Sequence, residues 1–340
     1  MNKSGGTLIL NTPPSIAGYA SVVGKKEGEG PLAPYFDIAC SDTTFGEKSW
    51  EKAESRMQKD AVNKALDKAG LSPSNIDYIF AGDLLNQCIG SSFGLRDLEI
   101  PFVGLFGACS TMTETLCIGS VFIESGAAQH CVCVTSSHFC SAERQFRFPL
   151  EYGGQRAPTS QWTVTGSGSV VLSASGNGPY INAVSIGKIQ DLGITDMNNM
   201  GAAMAPAAAS TLSQFFKDTG TQPSQFDAII TGDLGQVGSD LLIQLMANEG
   251  YDIGNNHNDC GLMIFDRKQS DVNAGGSGCG CSASVLCSYL LRKIMDRQYN
   301  NVLFMATGAL MSPTSSQQGE SIPGIAHLVQ IKNDLTGGII

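Results

Sequence analysis

The sequence predicts an α/β protein built from two duplicated halves, and three observations carry that prediction. Strand-like and helix-like runs alternate along the 340 residues. Residues 79–84 (IFAGDL) recur as residues 229–234 (IITGDL), 150 positions further along. The apolar run that follows Cys109 recurs after Cys281. Alternation of this kind is typical of α/β folds, and a repeat in constant order indicates internal duplication.

The first predicted elements lie ahead of the repeated motif. Residues 7–10 and 20–23 are strand-like, and residues 49–69 predict a helix because apolar residues recur there at helical spacing. Gly70 occupies the position of a C-terminal cap. A strand over residues 76–81 follows, so the chain begins with the strand and helix order of an α/β unit.

Two further strands surround the centre of the first half. They are predicted over residues 101–106 and 130–135, and a buried helix lies between them. Residues 136–161 predict a long excursion from the sheet, and excursions of this length are often functional. Residues 165–173 (TGSGSVVLS) return the chain to the sheet as a strand that is entered through glycines.

The second half repeats this order. Residues 212–220 and a strand over 226–231 parallel the earlier helix and strand, and the apolar run from Cys281 to Ile294 parallels the helix after Cys109. Residues 301–306 (NVLFMA) match the strand that follows that helix. We therefore expect two halves, 1–178 and 179–340, whose buried helices face each other at the centre.

Cys109 is the residue around which the chain is organised. Small residues surround it, and the following residues are apolar on nearly every face, so the sequence predicts a buried helix that begins within a residue or two of Cys109. Free amide N–H groups and the helix dipole would favour a thiolate there. The pattern suits a nucleophile or an anion site, and the alternative is a cysteine packed as a small hydrophobic residue.

Composition limits the classes of function. A net charge of −10 and a pI near 4.8, with no Lys/Arg cluster, argue against a nucleic-acid partner. Eleven cysteines without a signal peptide indicate reduced thiols. No run approaches the ~18 apolar residues of a membrane span. We therefore expect a soluble protein without metal or cofactor, since Cys131 and Cys133 lack a second ligand pair and residues 275–280 lack the Lys-Ser/Thr of a phosphate loop.

These residues resemble the thiolase and ketoacyl-synthase superfamily. The resemblance rests on the duplicated plan, on the A-C-S motif at Cys109, on residues 165–173 and on residues 272–284 (VNAGGSGCGCSAS). It implies a thiolase-like fold in αβαβα layers, with mixed sheets around buried central helices. The whole chain resembles more closely one sporulation branch, the stage V sporulation protein AD family, which is implicated in moving pyridine-2,6-dicarboxylate (dipicolinate) into the developing spore.

That family resemblance implies partners as well as a ligand. It implies binding of dipicolinate or its calcium chelate, with calcium only as part of the ligand, and peripheral association with the spore inner membrane through membrane proteins of the same transport complex. The superfamily's usual mode implies a homodimer through the strand at residues 101–106. A purely structural subunit of such a complex is an alternative.

The sequence departs from the superfamily at its catalytic partners. Condensing enzymes add His with His, Asn or Cys around the cysteine, whereas this chain has Gly-Asp-Leu at 232–234, Gly-Cys-Gly at 278–280 and Thr-Gly at 307–308. We therefore expect Cys109 to be a vestigial nucleophile in a non-catalytic binding protein. The alternative is an acyltransferase or condensing enzyme that uses Cys109 with His138 as its base.

Candidate ligand-binding residues lie mainly in the excursion. Arg144, Arg147 and Arg156 are suited to a planar dicarboxylate because guanidinium groups bind carboxylates in a fork. The alternative is that Glu143 and Glu151 pair with them on a solvated surface.

Three more candidates lie at predicted strand ends. His138 would bind a carboxylate or act as a base, or it is an ordinary loop histidine. Asp83 and Asp233 are twin carboxylates that would bind a calcium ion or, more commonly, cap the helix that follows.

Overall fold

The computed structural model describes residues 1–146, 156–268 and 271–335. Its strands are β1 Asn2–Ser4, β2 Thr7–Ile9, β3 Ser15–Val23, β4 Ile38–Ala39, β5 Tyr78–Gly82, β6 Phe102–Gly104, β7 His130–Ser137, β8 Trp162–Thr163, β9 Gly166–Ser173, β10 Tyr180–Ser185, β11 Ala228–Thr231, β12 His257–Asp259, β13 Gly276–Ser277, β14 Asn301–Ala309 and β15 Gly324–Lys332. Its α-helices are α1 Lys25–Gly28, α2 Trp50–Ala69, α3 Ile89–Leu95, α4 Thr111–Glu124, α5 Phe139–Phe146, α6 Met200–Thr219, α7 Gly235–Asn248, α8 Cys260–Met263, α9 Cys279–Val285, α10 Leu291–Met295 and α11 Pro313–Gln317.

The main sheet contains the same five-strand order twice. One half runs β6-β5-β7-β9-β3 and the other runs β12-β11-β14-β15-β10. In each half the first three strands are parallel and the last two pair antiparallel. The halves meet where Ser15 of β3 pairs with Tyr180 of β10. The duplication that the repeated motif indicates is therefore present in the strand topology.

Helices form three layers around these two sets of strands. α2 packs on β3, β9 and β7, and α6 packs on β14 and β15. Between the halves, α4 contacts β7 and β15, while α9 contacts β9 and β7, and the two helices contact each other. Both are almost entirely buried, which explains why their sequences are apolar on most faces. The layered αβαβα arrangement predicted from the sequence is confirmed.

The outer helices α2 and α6 are matched in position and length. Each has 20 residues, and each ends at a glycine with φ +66°, Gly70 or Gly220, a backbone conformation that glycine adopts without strain. The Ser49 hydroxyl caps α2 by accepting from the Lys52 N–H. The helix predicted over 49–69 is confirmed, whereas α6 begins 12 residues before the predicted segment 212–220, at Met200.

Two predictions about the centre need correction. α4 begins at Thr111, as expected, but its counterpart begins at Cys279, so Cys281 lies inside the second helix and does not match Cys109. Residues 136–161 are not simply an irregular excursion, because β7 continues to Ser137 and α5 follows directly.

Candidate functional site

A central cavity lies where the two buried helices begin. It leaves a space of about 60 Å³ for water molecules, and its mainly apolar lining includes Leu84, Phe106, Cys109, Phe146, Gln161 and Ser277. The two halves both contribute, since Cys109 lies two residues before α4 and Ser277 lies two residues before α9. Because one water molecule needs about 10–15 Å³ of such space, the cavity has room for a few water molecules.

Cys109 faces a serine and an aspartate across the centre. Its Sγ atom lies 4.0 Å from the Ser277 Oγ atom. The Ser277 hydroxyl donates to Asp233 Oδ2 at 2.9 Å, and the same oxygen accepts from the Gly278 N–H at 2.9 Å. Asp233 Oδ1 accepts from the Thr307 hydroxyl at 2.9 Å. A buried hydrogen-bonded network therefore lies beside Cys109.

The surroundings of Cys109 disfavour a thiolate. Burial raises the pKa of the Cys109 thiol well above its usual value, and the nearby Asp233 carboxylate raises it further. The thiol also precedes the first helical residue by two positions, so it does not cap α4. The thiolate expected from the helix dipole is thus wrong, because burial and a neighbouring carboxylate outweigh a partial dipole charge.

Asp233 is fully buried and does not cap the helix that follows it. Burial raises its pKa, and the bonds from Gly278, Thr307 and Ser277 oppose this. The first N–H groups of the following segment instead donate to Asp259, from Leu234 at 2.9 Å and from Gly235 at 3.0 Å. The helix-cap interpretation of Asp233 is therefore wrong.

One wall of the cavity is polar and was missed from the sequence. Glu143 is 3% exposed, and its Oε1 atom accepts from the Thr163 hydroxyl at 2.9 Å. The Gln161 amide donates to the backbone oxygens of Asp233 at 2.6 Å and Gly276 at 2.9 Å. Gln161 Oε1 is buried and has no hydrogen-bond partner among the described residues. Both side chains come from the predicted excursion, but spacing did not distinguish them from its surface residues.

Asp83 is buried at the end of β5, with its contacts inside its own half. Its Oδ2 atom accepts from the Ser91 N–H at 2.7 Å and the Ser91 hydroxyl at 2.6 Å, and Oδ1 accepts from the Leu85 N–H at 2.9 Å. Burial raises its pKa, and nearby Glu54 has a pKa raised to about 8 by burial and by Asp83. Asp83 thus orders the turn that leads into α3, and it does not line the central cavity.

His138 lies away from Cys109. Its Nε2 atom is 2.8 Å from the Thr43 carbonyl oxygen, and its Nδ1 atom accepts from the Cys140 N–H at 3.2 Å. Burial lowers its pKa. The ring lines a second cavity that shares no lining residue with the central one. The expectation that His138 acts as a base for Cys109 is therefore wrong, because both ring nitrogens are engaged elsewhere.

Arg144 and Arg156 do not line the central cavity. Arg144 is half-exposed, pairs with Glu51 and lies 5.3 Å from the ring centre of Trp50. Arg156 is mostly buried and lies behind the wall, with its Nη2 atom 3.5 Å from Glu143 Oε1. Arg147 lies outside the described residues. Arg144 thus forms an exposed pair with Glu51 and not with Glu143 or Glu151, while Glu143 pairs with Arg156, as the alternative expected, but in a mostly buried position.

The described residues contain neither a metal-binding cluster nor a helix that could span a membrane. Within residues 1–146, 156–268 and 271–335, there is no group of three or more His, Cys, Asp or Glu side chains placed to hold a metal ion. In the same part of the chain, no helix has the length and apolar character needed to cross a bilayer.

Comparison with known proteins identifies the family. The family model of stage V sporulation protein AD (SpoVAD) matches residues 4–332. The chain belongs to the SpoVAD family. A SpoVAD relative from Bacillus subtilis (strain 168) is 46% identical over 321 residues, which cover 94% of this chain and 95% of the relative. The sporulation branch indicated by the sequence is thus confirmed, and this SpoVAD-family chain is a sporulation protein.

Solved structures support the fold. The 3-oxoacyl-[acyl-carrier-protein] synthase III of Aquifex aeolicus VF5 aligns with a TM-score of 0.58 at 13% identity, covering 94% of this chain and 99% of that one. Cerulenin-bound OleA of Xanthomonas campestris aligns with a TM-score of 0.59 at 14% identity, covering 98% of this chain and 100% of that one. At such identities the likeness shows the fold alone, and the fold is thiolase-like.

Proposed function

We propose that this SpoVAD-family protein binds dipicolinate, as its calcium chelate, in the central cavity and does not catalyse a reaction on it. The observation that carries the proposal is the setting of Cys109, which faces Ser277 and Asp233 at a mainly apolar cavity lined by both halves. A thiol whose pKa is raised well above its usual value is a poor nucleophile. A cavity that retains a ligand without attacking it fits a binding protein.

The lining favours the chelate over the free dianion. Phe106 and Phe146 offer apolar surface to a planar ring, and Glu143 and Gln161 offer oxygen atoms. Oxygen atoms of carboxylates and amides are the ligands that calcium prefers. A free dianion would meet the Glu143 carboxylate, whereas the cation that pairs with Glu143, Arg156, does not line the cavity. The chelate is neutral and presents its metal to those oxygens.

The proposed assembly is a homodimer bound to membrane proteins of a spore transport complex. β6 lies at an edge of the main sheet. Phe102 in β6 is 41% exposed, and Phe106 just after β6 is 49% exposed. An open strand edge with exposed aromatic side chains is suited to pairing with a second copy. Through those partners the protein would associate peripherally with the spore inner membrane.

Calorimetric titration with dipicolinate, with and without calcium, tests the binding proposal. We expect saturable heat that requires calcium and that pyridine-3,5-dicarboxylate does not reproduce. Glu143→Gln is expected to weaken chelate binding about tenfold, because a charged oxygen ligand is lost, while Glu249→Gln on the surface has no effect. No heat with or without calcium would overturn the proposal and leave the structural subunit.

The catalytic alternative has its own test. An acyltransferase would form a thioester on Cys109 after incubation with acyl-CoA, which intact-mass spectrometry detects. We expect no adduct across several acyl-CoAs, since among the described residues that line the central cavity there is no histidine. An adduct that disappears in Cys109→Ser would establish an enzyme instead.

A further inference from the structure

A second cavity lies on the other side of the wall formed by α5 and β8. Its volume is about 280 Å³, and it is lined by the segment from Gly24 to Glu29, by Thr43, by the start of α5, and by Trp162, Thr165 and Asp271. Side chains alternate across this wall. Gln161 and Thr163 face the central cavity, whereas Trp162 faces the second one. The proposed dipicolinate site therefore does not account for this second space.

Glu27 lines the second cavity and has a buried carboxylate oxygen without a hydrogen-bond partner among the described residues. The residue is 1% exposed, and its Oε1 atom accepts from the Thr165 N–H at 2.9 Å. Its Oε2 atom is buried and has no hydrogen-bond partner among the described residues. Burial raises the pKa of this carboxyl to about 7. A buried carboxylate oxygen without a donor is costly, so a ligand that supplies an N–H group or a positive charge would be stabilised there.

The aromatic wall of the cavity already holds a cation. Trp162 stacks on Phe139 with ring centres 4.1 Å apart. The Lys26 ammonium lies 4.4 Å from the centre of the Trp162 ring and forms an ion pair with Asp271 at 3.0 Å. Aromatic faces attract cations, and lysine has a flexible stem that can yield its place. Lys26 thus shows that this wall accommodates a cationic group.

The charged groups around the cavity indicate the sign of the ligand's charge. Carboxylates of Glu27, Glu29 and Asp271 face it, and the ammonium groups of Lys25 and Lys26 are paired with two of them, Lys25 with Glu29 at 4.0 Å. Glu27 is left as the carboxylate without an ion pair among the described residues of the lining. His138 adds no free nitrogen, since both of its ring nitrogens are engaged.

We propose that the second cavity binds a small organic cation with N–H donors, an ammonium or amidinium compound, whose donor pairs with Glu27 while its body lies against the Phe139–Trp162 wall. The cation takes the place of the Lys26 ammonium over Trp162. This site is separate from the central cavity and from dipicolinate.

Benzamidinium is the probe, because it is a planar cation with N–H donors, and benzamide is its neutral control of the same shape. We expect saturable one-to-one binding of benzamidinium by calorimetry, and binding of benzamide that is at least about tenfold weaker, because a buried carboxylate discriminates by charge. Glu27→Gln keeps the acceptor for the Thr165 N–H and is expected to weaken benzamidinium at least about tenfold.

Two variants separate the proposal from a merely structural role of Glu27. Glu29→Gln at the rim removes the same charge from an exposed position and is expected to change affinity less than about twofold. Lys26→Met removes the competing cation and is expected to strengthen benzamidinium binding. The heat of chelate binding to the central cavity stays unchanged in Glu27→Gln, which shows that this variant is folded.

The proposal is overturned by any of three results with wild-type or variant protein. These are no saturable benzamidinium binding, equal affinity for benzamidinium and benzamide, or affinity that Glu27→Gln leaves unchanged. In each case a water molecule or the carboxyl proton would be the partner of Glu27, and the cavity would hold solvent.

Discussion

Asp83 and Asp233 occupy matching positions in the two halves, yet they form different contacts. Each follows the central parallel strand of its half, β5 or β11, and they are 150 positions apart. Asp83 accepts hydrogen bonds from Leu85 and Ser91, within its own half. Asp233 also accepts within its own half, from Ser277, Gly278 and Thr307, but it lies beside the Cys109 thiol of the other half. Duplication supplies the same carboxylate twice, and one copy lies next to Cys109.

The neighbouring outer helix accounts for part of this difference. Glu54 of α2 is buried near Asp83, and 150 positions further along α6 carries Met204, which is also buried. Two buried carboxyls disfavour each other's ionised form, so one of them holds a proton. Asp233 has no such neighbour on α6, and the buried carboxyl near it is Asp259 at the end of β12, whose pKa is raised to about 7 by burial and by Asp233. The buried carboxyl neighbour therefore comes from the outer helix in the first half and from an edge strand in the second.

The largest expected effect comes from removing each aspartate in turn. Asp233→Ala leaves Ser277, Gly278 and Thr307 with buried donors unpaired, so we expect a loss of about 4 kcal/mol in the free energy of unfolding. Chelate binding is expected to disappear. Asp83→Ala costs about 2 kcal/mol, because the lost bonds are partly offset by relief of Glu54. Urea unfolding and calorimetry measure both quantities.

One binding result would contradict the contrast between the two aspartates. Folded Asp83→Ala is expected to bind the chelate within about twofold of wild type, since Asp83 does not line the central cavity. Asp233→Asn serves as the milder variant should Asp233→Ala not fold, since Asn keeps one acceptor oxygen. Equal loss of binding from both positions would show that the two halves contribute alike.

The buried Glu54 carboxyl should make the free energy of unfolding depend on pH. Its pKa is about 8 in the folded protein and near 4.5 when unfolded, so the folded state holds the proton more tightly. Stability from this group is therefore complete below about pH 4.5 and is lost as pH rises toward 8. Glu54→Gln cannot titrate, and its stability relative to wild type should rise by about 3.5 kcal/mol between pH 5 and pH 8.

Urea unfolding at several pH values checks this expectation. Glu249→Gln is a suitable control, because Glu249 is half-exposed and pairs with Lys217 on the surface. Its difference from wild type should be flat over the same range. A flat difference for Glu54→Gln as well would mean that Glu54 is ionised in the folded protein and that the two halves do not differ in this way.

The elements that the sequence predicted well are those with local or repeated signals. Helical spacing and a terminal glycine placed α2, and the repeated motif placed β5 and β11. The apolar run after Cys109 placed α4. Helical spacing and apolar runs depend on residues within one or two turns of each other, and the repeat is visible in the sequence itself, so no knowledge of tertiary packing was needed.

The site itself was predicted only in part, because its side chains meet across the interface of the halves. Ser277 and Cys109 are 168 positions apart and become neighbours only when the two buried helices oppose each other. Gln161 and His138 lie in one segment, but the wall of α5 and β8 turns them toward different cavities. Charge alone made Arg144 a candidate, whereas its exposed pair with Glu51 depends on where α2 begins.

The smallest expected effects concern the segments after β7 and β14, where the halves differ most in charge. Residues 310–323 contain no Lys or Arg, whereas Arg144 and Arg156 follow β7. Arg144→Gln is expected to change stability by at most about 0.5 kcal/mol and chelate affinity by less than about twofold, since exposed ion pairs contribute little. Arg156→Gln should cost about 1.5 kcal/mol, because Glu143 would lose a buried cation at 3.5 Å. Thermal unfolding and calorimetry rank the two variants. A larger loss of affinity from Arg144→Gln than from Arg156→Gln would place the ligand on the outer surface of α5. The segment after β7 would then bind the ligand without the central cavity.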